Sequence, residues 1–240
     1  MVNSSLYNRF IGSNVKQKGG GELVNMLYDK KTFLVKTFAT LIVQLGITYY
    51  VMEKTATPTT NNKNSNQNRT AMYQFLFGGI LIILILAFVP MPSWVKLLLF
   101  TLFSYLTGRL LSIVKSTTTT NVINTALIGT ISIFGLMCAI GIALIAFGMK
   151  LGIRTLLILL TCLLLLILFQ IVFVFSGSSS SGMQKTLLFF GLILFSFYVI
   201  YDTNKILQRN YYGDFITASL DYYLDIINIF MNLISLDNLN

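Results

Sequence analysis

Apolar and polar positions alternate in long blocks, and seven apolar blocks follow one another along the chain. They cover roughly 33–52, 72–91, 95–114, 122–148, 155–176, 186–207 and 215–236, close to the ~20 mainly apolar residues that a spanning helix needs. The fourth is long enough to tilt or to begin outside the hydrocarbon. Polar, low-complexity connections lie between them: TATPTTNNKNSNQNRT at 55–70, STTTTN at 116–121 and SGSSSSG at 176–182. Such stretches bury too little apolar surface to fold alone and are expected to be flexible loops. Residues 1–31 are polar and basic, without the apolar core of a cleavable signal. The expected organisation is a basic cytosolic segment, 1–31, followed by a seven-helix membrane domain, 32–240. The fold class is an all-α integral membrane protein.

Composition removes the soluble alternatives. Of 240 residues, 55% are hydrophobic and only 10% charged, whereas a soluble domain carries about a quarter charged residues. The bases set an orientation. With seven spans, eleven of the 17 Lys and Arg fall on the side of the N-terminus and five on the other, with Arg109 inside a span. The N-terminus is therefore expected in the cytosol. If the last segment re-enters rather than spans, both ends are cytosolic. An Asn-x-Thr acceptor at Asn68 would face the lumen, close against a helix. The net charge of +9 follows from basic flanks that hold helix ends against anionic headgroups. These bases are scattered and form no single stripe, so the expected partner is the bilayer and not nucleic acid.

The carboxylates are few and unevenly placed. Asp202 ends the sixth apolar run in FYVIYDTNKI, and Asp221 and Asp225 lie inside the seventh in ITASLDYYLDIINIFMNLIS. A charge at membrane depth costs several kcal/mol and usually faces a cavity or a partner. Asp221, Asp225, Asn228 and Asn232 share one helix face at i, i+4, i+7 and i+11. That face cannot look at lipid, where its polar atoms would go unpaired, so the seventh segment is expected to be buried. Should Asp202 and Asp225 meet, they cannot both ionise cheaply in a low dielectric and would share a proton. The chain has no histidine, so this pair is its candidate pH latch. Its oxygens would suit a transient calcium ion. The plainer alternative is that these aspartates cap helix ends or pair with Lys205 and Arg209.

Other residues change the picture less. Arg109, in FTLFSYLTGRLLSIV, either snorkels to an interface or turns inward as a counter-charge. Asn228, Asn232, Asp221 and Arg109 are thus candidate pore-lining or accessory positions. Gly78, Gly79, Gly135, Gly141 and Gly191 are expected to serve close helix packing. Most aromatics are expected to face lipid or the interface, with Trp94 and Lys96 as a belt anchor. Cys138 and Cys162 sit in apolar runs as small buried hydrophobes, with no disulfide framework. There is no GxxxxGK[ST], HExxH or GxSxG motif, which excludes hydrolases and transferases of those chemistries but not membrane enzymes without such motifs. The expectation is a non-enzyme without a resident cofactor.

The stretch FYVIYDTNKILQRNYYGDFITASLDYYLDIINIFMNLISLD, Phe197 to Asp237, resembles the C-terminal signature of the transmembrane Bax inhibitor motif family. In that signature an I-Y-D segment is followed about two dozen residues later by Y-L-D-I-I-N. The opening span, FLVKTFATLIVQLGIT, agrees more loosely, with Lys36, Gln44 and Thr48 at familiar places. The resemblance is nearest to the Golgi anti-apoptotic and Lifeguard branch, which includes viral members. It implies two three-helix layers around a central C-terminal helix. It also implies a pH-dependent calcium leak in endoplasmic reticulum or Golgi membranes that lowers stored calcium and suppresses apoptosis. The aspartate latch of that family maps onto Asp202 and Asp225. Two departures concern the gate. The basic residue that locks the sixth-helix aspartate in some relatives has only Lys96 near its place, and Ser104 stands where some carry a glutamate. Arg109 would then be a replacement counter-charge.

Three rival readings remain in view. An intramembrane aspartyl protease also uses two membrane aspartates, and Tyr201-Asp202 matches its first motif. Its G-x-G-D motif is absent around Asp225. A cell-death regulator that acts through membrane-protein partners, without transport, would need no acid pair. A seven-helix receptor would be expected to show a loop disulfide, which the two cysteines do not suggest.

Overall fold

The computed structural model describes residues 21–55, 74–175, 181–208 and 213–239. These residues are helical without a strand among them. In chain order they form α1 (Gly21–Asp29), α2 (Lys31–Thr55), a π-helical turn (Gln74–Gly79) that runs into α3 (Ile80–Phe88), and α4 (Ser93–Thr117). The order continues with α5 (Thr120–Ala146), α6 (Ile153–Phe175), α7 (Ser181–Gln208) and α8 (Phe215–Asp237). Helices α2, α4, α5, α6 and α7 are long and apolar enough to cross a membrane, and Phe77–Leu86 is an apolar stretch of shorter length. The protein is therefore a multi-pass membrane protein. Helix α8 is long enough but falls outside those five, because two aspartates and two asparagines interrupt its apolar run.

Local chemistry explains where the helices stop. Val89–Pro90–Met91–Pro92 separates α3 from α4, and Pro92 in extended conformation stands as the N-cap of α4. Proline cannot donate a backbone hydrogen bond, so the expected span 72–91 ends early, at Phe88. Within the connection at 116–121 only Thr118 and Thr119 are non-helical. Ser116 and Thr117 return their hydroxyls to the carbonyls of Ile113 (2.7 Å) and Val114 (3.0 Å), so α4 continues through residues that read as loop. Helix α1 was likewise not visible in a segment that reads as polar and basic. The connections at 56–73 and 176–180, with Asn68 and Arg209, lie outside the described residues.

The described residues fall into two compact units. One contains the residues up to Phe33, Thr125–Gly213 and the chain from Leu224. Here Leu159, Leu194 and Tyr201 form a buried apolar cluster. Helix α5 ends on Gly148, whose φ of 82° is open to glycine at no steric cost. Gly148 N–H donates to Ile145 O (2.8 Å) and Met149 N–H to Leu144 O (2.7 Å), the Schellman pattern of a helix end. Asn204, fully buried on α7, clamps the following loop by accepting from Leu151 N–H (2.9 Å) and donating to Met149 O (3.1 Å). Gly141 allows close helix approach, since a Cβ there would lie 2.9 Å from Ile200 O. Gly135, also expected to pack closely, has open space around it.

The second unit contains Leu34–Asn124 and Asp214–Tyr223. Its core holds an aromatic cluster, although more of the described aromatics are exposed than buried, as expected. Phe100 and Tyr223 meet edge to face at 5.2 Å, and Phe103 adds a second edge contact at 5.8 Å. Such geometry suits the ring quadrupoles. Gly108 is the close-packing glycine here, with Thr48 O and Val51 Cβ both 2.7 Å from where a Cβ would stand.

Candidate functional site

Asp202 and Asp225 are both buried, at 7% and 4% exposure, and both belong to the first unit. Asp202 comes from the last third of α7 and Asp225 from the middle of α8. The half-buried phenol of Tyr198, one helical turn before Asp202, lies within electrostatic reach of both carboxylates and of Cys162. Both acids thus act on the one phenol. Lys205 also approaches Asp202, at 3.5 Å from Oδ1 and three residues along the same helix. The plainer expectation, an ion pair with Lys205, thus describes one contact of Asp202.

Beyond Asp225, the polar face of α8 continues as expected. Asp221 is half-buried, Asp225 buried, Asn228 half-buried and Asn232 buried. The two asparagines satisfy their amide N–H groups on their own helix. Asn228 Nδ2 donates to Leu224 O and Asn232 Nδ2 to Asn228 O, both at 2.8 Å. Each side-chain amide thereby spends one of its two N–H donors on backbone. Together with Gln170 and Ser235 they line a cavity of about 260 Å³ walled by Leu163 and Phe195. Gly191 lets Asn232 pack closely against α7, because a Cβ on it would come within 2.9 Å of Asn232 Oδ1.

Three features escaped the sequence reading. Lys96 is not a belt anchor. It is 8% exposed and pairs with Asp214, while its Nζ also donates to Thr217 Oγ1 at 3.3 Å. Asp214 caps α8, accepting from Thr217 N–H (3.1 Å) and from Thr217 Oγ1 (2.7 Å), as N-cap acids do. Burial works to raise the pKa of Asp214, yet the hydrogen bonds from Lys96 and Thr217 and the charge of Lys96 outweigh it. The result lies below the ordinary 3.8. An aspartate followed three residues later by threonine at a helix start was the available signal; its distant partner had none. Lys30 Nζ donates to Ile206 O at 3.2 Å near the end of α7, and burial lowers its pKa to about 8.

The third feature is a seam of uncharged polar groups in the second unit. Tyr223 Oη meets Thr48 Oγ1 at 2.5 Å and faces the hydroxyls of Thr107 and Ser104. Thr48 Oγ1 also donates to Ser104 O at 3.2 Å, and Gln44 Nε2 to Thr101 Oγ1 at 3.1 Å. Ser219 Oγ donates to Thr37 O at 2.6 Å. Gln44 and Thr48, prominent in the opening span, are thus buried links between α2 and α4. Among the accessory candidates, Arg109 forms no ion pair with any described residue. Of the cysteines, Cys138 is half-buried and accepts from Thr203 Oγ1 at 3.5 Å, while Cys162 is exposed, against the expectation of burial. Both are free thiols.

Comparison with known proteins bears on the whole of this arrangement. A family model, described as inhibitor of apoptosis-promoting Bax1, matches residues 30–239. Among curated proteins, Protein LIFEGUARD 1 of Arabidopsis thaliana is 35% identical over 57 residues, 23% of this chain and 24% of that protein. Protein LIFEGUARD 2 of the same plant is 41% identical over 44 residues, 18% of each chain. The Golgi anti-apoptotic protein of Vaccinia virus (strain Lister) is 38% identical over 47 residues, 20% of each chain. The matched stretches thus span about a quarter or less of these relatives.

Proposed function

The chain belongs to the family of inhibitors of apoptosis-promoting Bax1, and from that premise we propose a pH-sensitive calcium leak channel of intracellular membranes. In this reading the protein lowers stored calcium and restrains cell death. Asp202 and Asp225 form its latch. The observation that carries the proposal is the burial of both carboxylates, at 7% and 4% exposure, around one phenol.

Two buried acids in a low dielectric favour a shared proton over two charges. A cation arriving between them reverses that preference, because oxygen ligands stabilise calcium and calcium stabilises both carboxylates. Proton and cation therefore compete for one place, and pH sets the leak. Two carboxylates offer a way-station, not a closed cage, as conduction requires. The amide-lined cavity at Asn228 and Asn232 extends the polar route along α8.

The same reading carries the finer layout. The π-turn with α3, and α8 with its polar face, would supply the sixth and seventh crossings, giving two three-helix layers around the C-terminal helix. The excess of bases supports a cytosolic N-terminus. The names of the viral relatives support a Golgi address, with the endoplasmic reticulum as the other store. The chain has no catalytic role in this account, and its partners are calcium and the bilayer.

A second reading draws on the Lys205–Asp202 contact, which gives Asp202 a structural role. In it the protein restrains death by binding membrane partners, without transport. Expression in cells separates the two. The leak reading expects wild type to lower releasable stored calcium and raise survival, with Asp225→Asn abolishing both effects. Survival that persists in Asp225→Asn while the calcium effect disappears would favour partner binding.

A further inference from the structure

Within the second unit, α3, the π-turn and α4 enclose an open groove of about 590 Å³ lined by Gly78, Leu81, Ile82, Leu102, Tyr105, Leu106 and Arg109. Its walls are hydrocarbon: Leu81 is 57% exposed and Leu102 47%. Arg109 is its one charged residue. The Nε of Arg109 is buried and has no hydrogen-bond partner among the described residues. Nor does the guanidinium form an ion pair with any described residue, and no acid lines the groove.

Arg109 as a whole is half-buried, and a charge partly withdrawn from water without a partner is costly. The cost is greater at membrane depth, where arginine is tolerated mainly through a partner or a distortion of the bilayer. Arg109 stands two turns before Thr117, roughly 12 Å along the axis at ~1.5 Å per residue. Its neighbours at i−4 and i−3, Tyr105 and Leu106, place it on the groove face. The site therefore demands two chemistries at once: an anion with planar, paired oxygens for the guanidinium, and a hydrocarbon chain for the leucine walls.

We infer that this groove is a binding site for an anionic phospholipid, with its phosphate on Arg109 and an acyl chain along Leu81, Ile82 and Leu102. One molecule meets both demands, and the bilayer supplies it. Gly78 makes room for it. A Cβ at Gly78 would only touch Leu106 Cδ1, at 3.5 Å, so a larger side chain there would fit the fold yet extend into the groove. The π-turn that carries Gly78 is itself of a kind found often at functional sites. The inference stands apart from the calcium reading, since Asp202 and Asp225 take no part in it.

Native mass spectrometry of the full chain, released from micelles with equimolar phosphatidylglycerol and phosphatidylcholine, tests it. Wild type is expected to retain phosphatidylglycerol over phosphatidylcholine by about fivefold, which corresponds to roughly 1 kcal/mol per basic contact. Arg109→Gln should bring the ratio to parity with an unchanged melting temperature, and Arg109→Lys should keep part of the preference. Gly78→Leu, with the charge intact, should reduce retention of both lipids. Parity in wild type, an unchanged ratio in Arg109→Gln, or displacement of the lipid by millimolar inorganic phosphate would each overturn the assignment. If Arg109→Gln fails to fold, the Gly78→Leu arm decides: undiminished retention there overturns it.

Discussion

Helices α6 and α8 are each 23 residues long, and they obey opposite rules. Helix α6 is the most apolar candidate span, and of its described residues only Leu159 is buried. Leu157, Ile158, Leu164, Leu168, Phe169 and Val172 are all more than half exposed. Helix α8 carries Asp221, Asp225, Asn228 and Asn232, yet Ile216, Tyr222, Tyr223, Ile229, Phe230 and Ile234 are at most 4% exposed. In water this would be an inverted protein. In a bilayer lipid solvates leucine, and polar atoms must be enclosed by protein. The helix that hydropathy ranks highest is the one with least to hide, and the helix it passes over is the one that carries the enclosed polar face.

That contrast can be broken by substitution. The largest expected effect is at Ile229, fully buried on α8. Ile229→Ala should cost about 2–5 kcal/mol through lost packing and the cavity left behind, whereas Leu164→Ala on α6, 59% exposed, should stay within about 0.5 kcal/mol. Unfolding of both variants in the same mild detergent measures the difference. Equal losses would mean that α8 is not specially enclosed.

A smaller effect concerns how α8 begins. Asp214→Asn removes a charged cap and the partner of Lys96, and is expected to cost about 1–3 kcal/mol. The pH dependence has a definite sign. The folded pKa of Asp214 lies below its ordinary 3.8, so its contribution is complete above that value and is lost as pH falls through the folded pKa. Melting curves at about pH 3 and pH 6 should therefore converge for wild type and Asp214→Asn at the lower pH. A constant gap would remove the ion pair from the account.

How much of this was legible follows from what each feature depends on. The apolar runs announced α2 and α4 to α8 because run length is a local property. The end of α3 was shifted by Pro90 and Pro92, visible but outweighed by the hydropathy of the window. The polar stripe of α8 was legible from the helical period, and its burial followed from the cost of an unpaired amide in lipid. The pairing of Lys96 with Asp214, 118 residues apart, was not, because no local pattern encodes which distant helix end a lysine reaches. Gly135 and Gly108 show the same limit. Both look alike as small residues in apolar helices, but only Gly108 has a neighbouring backbone against it. Tyr223 read as one more membrane aromatic, and its buried role depends on the hydroxyls of Thr48, Ser104 and Thr107 converging from two other helices.

The central claim is that buried Asp202 and Asp225 gate a calcium leak, and calcium entry into proteoliposomes across about pH 5 to 8 tests it most directly. Wild type should leak in a pH-dependent way, and Asp202→Asn or Asp225→Asn should each flatten the profile while the protein stays folded. No leak above empty liposomes, or a profile that both substitutions leave unchanged, would contradict it.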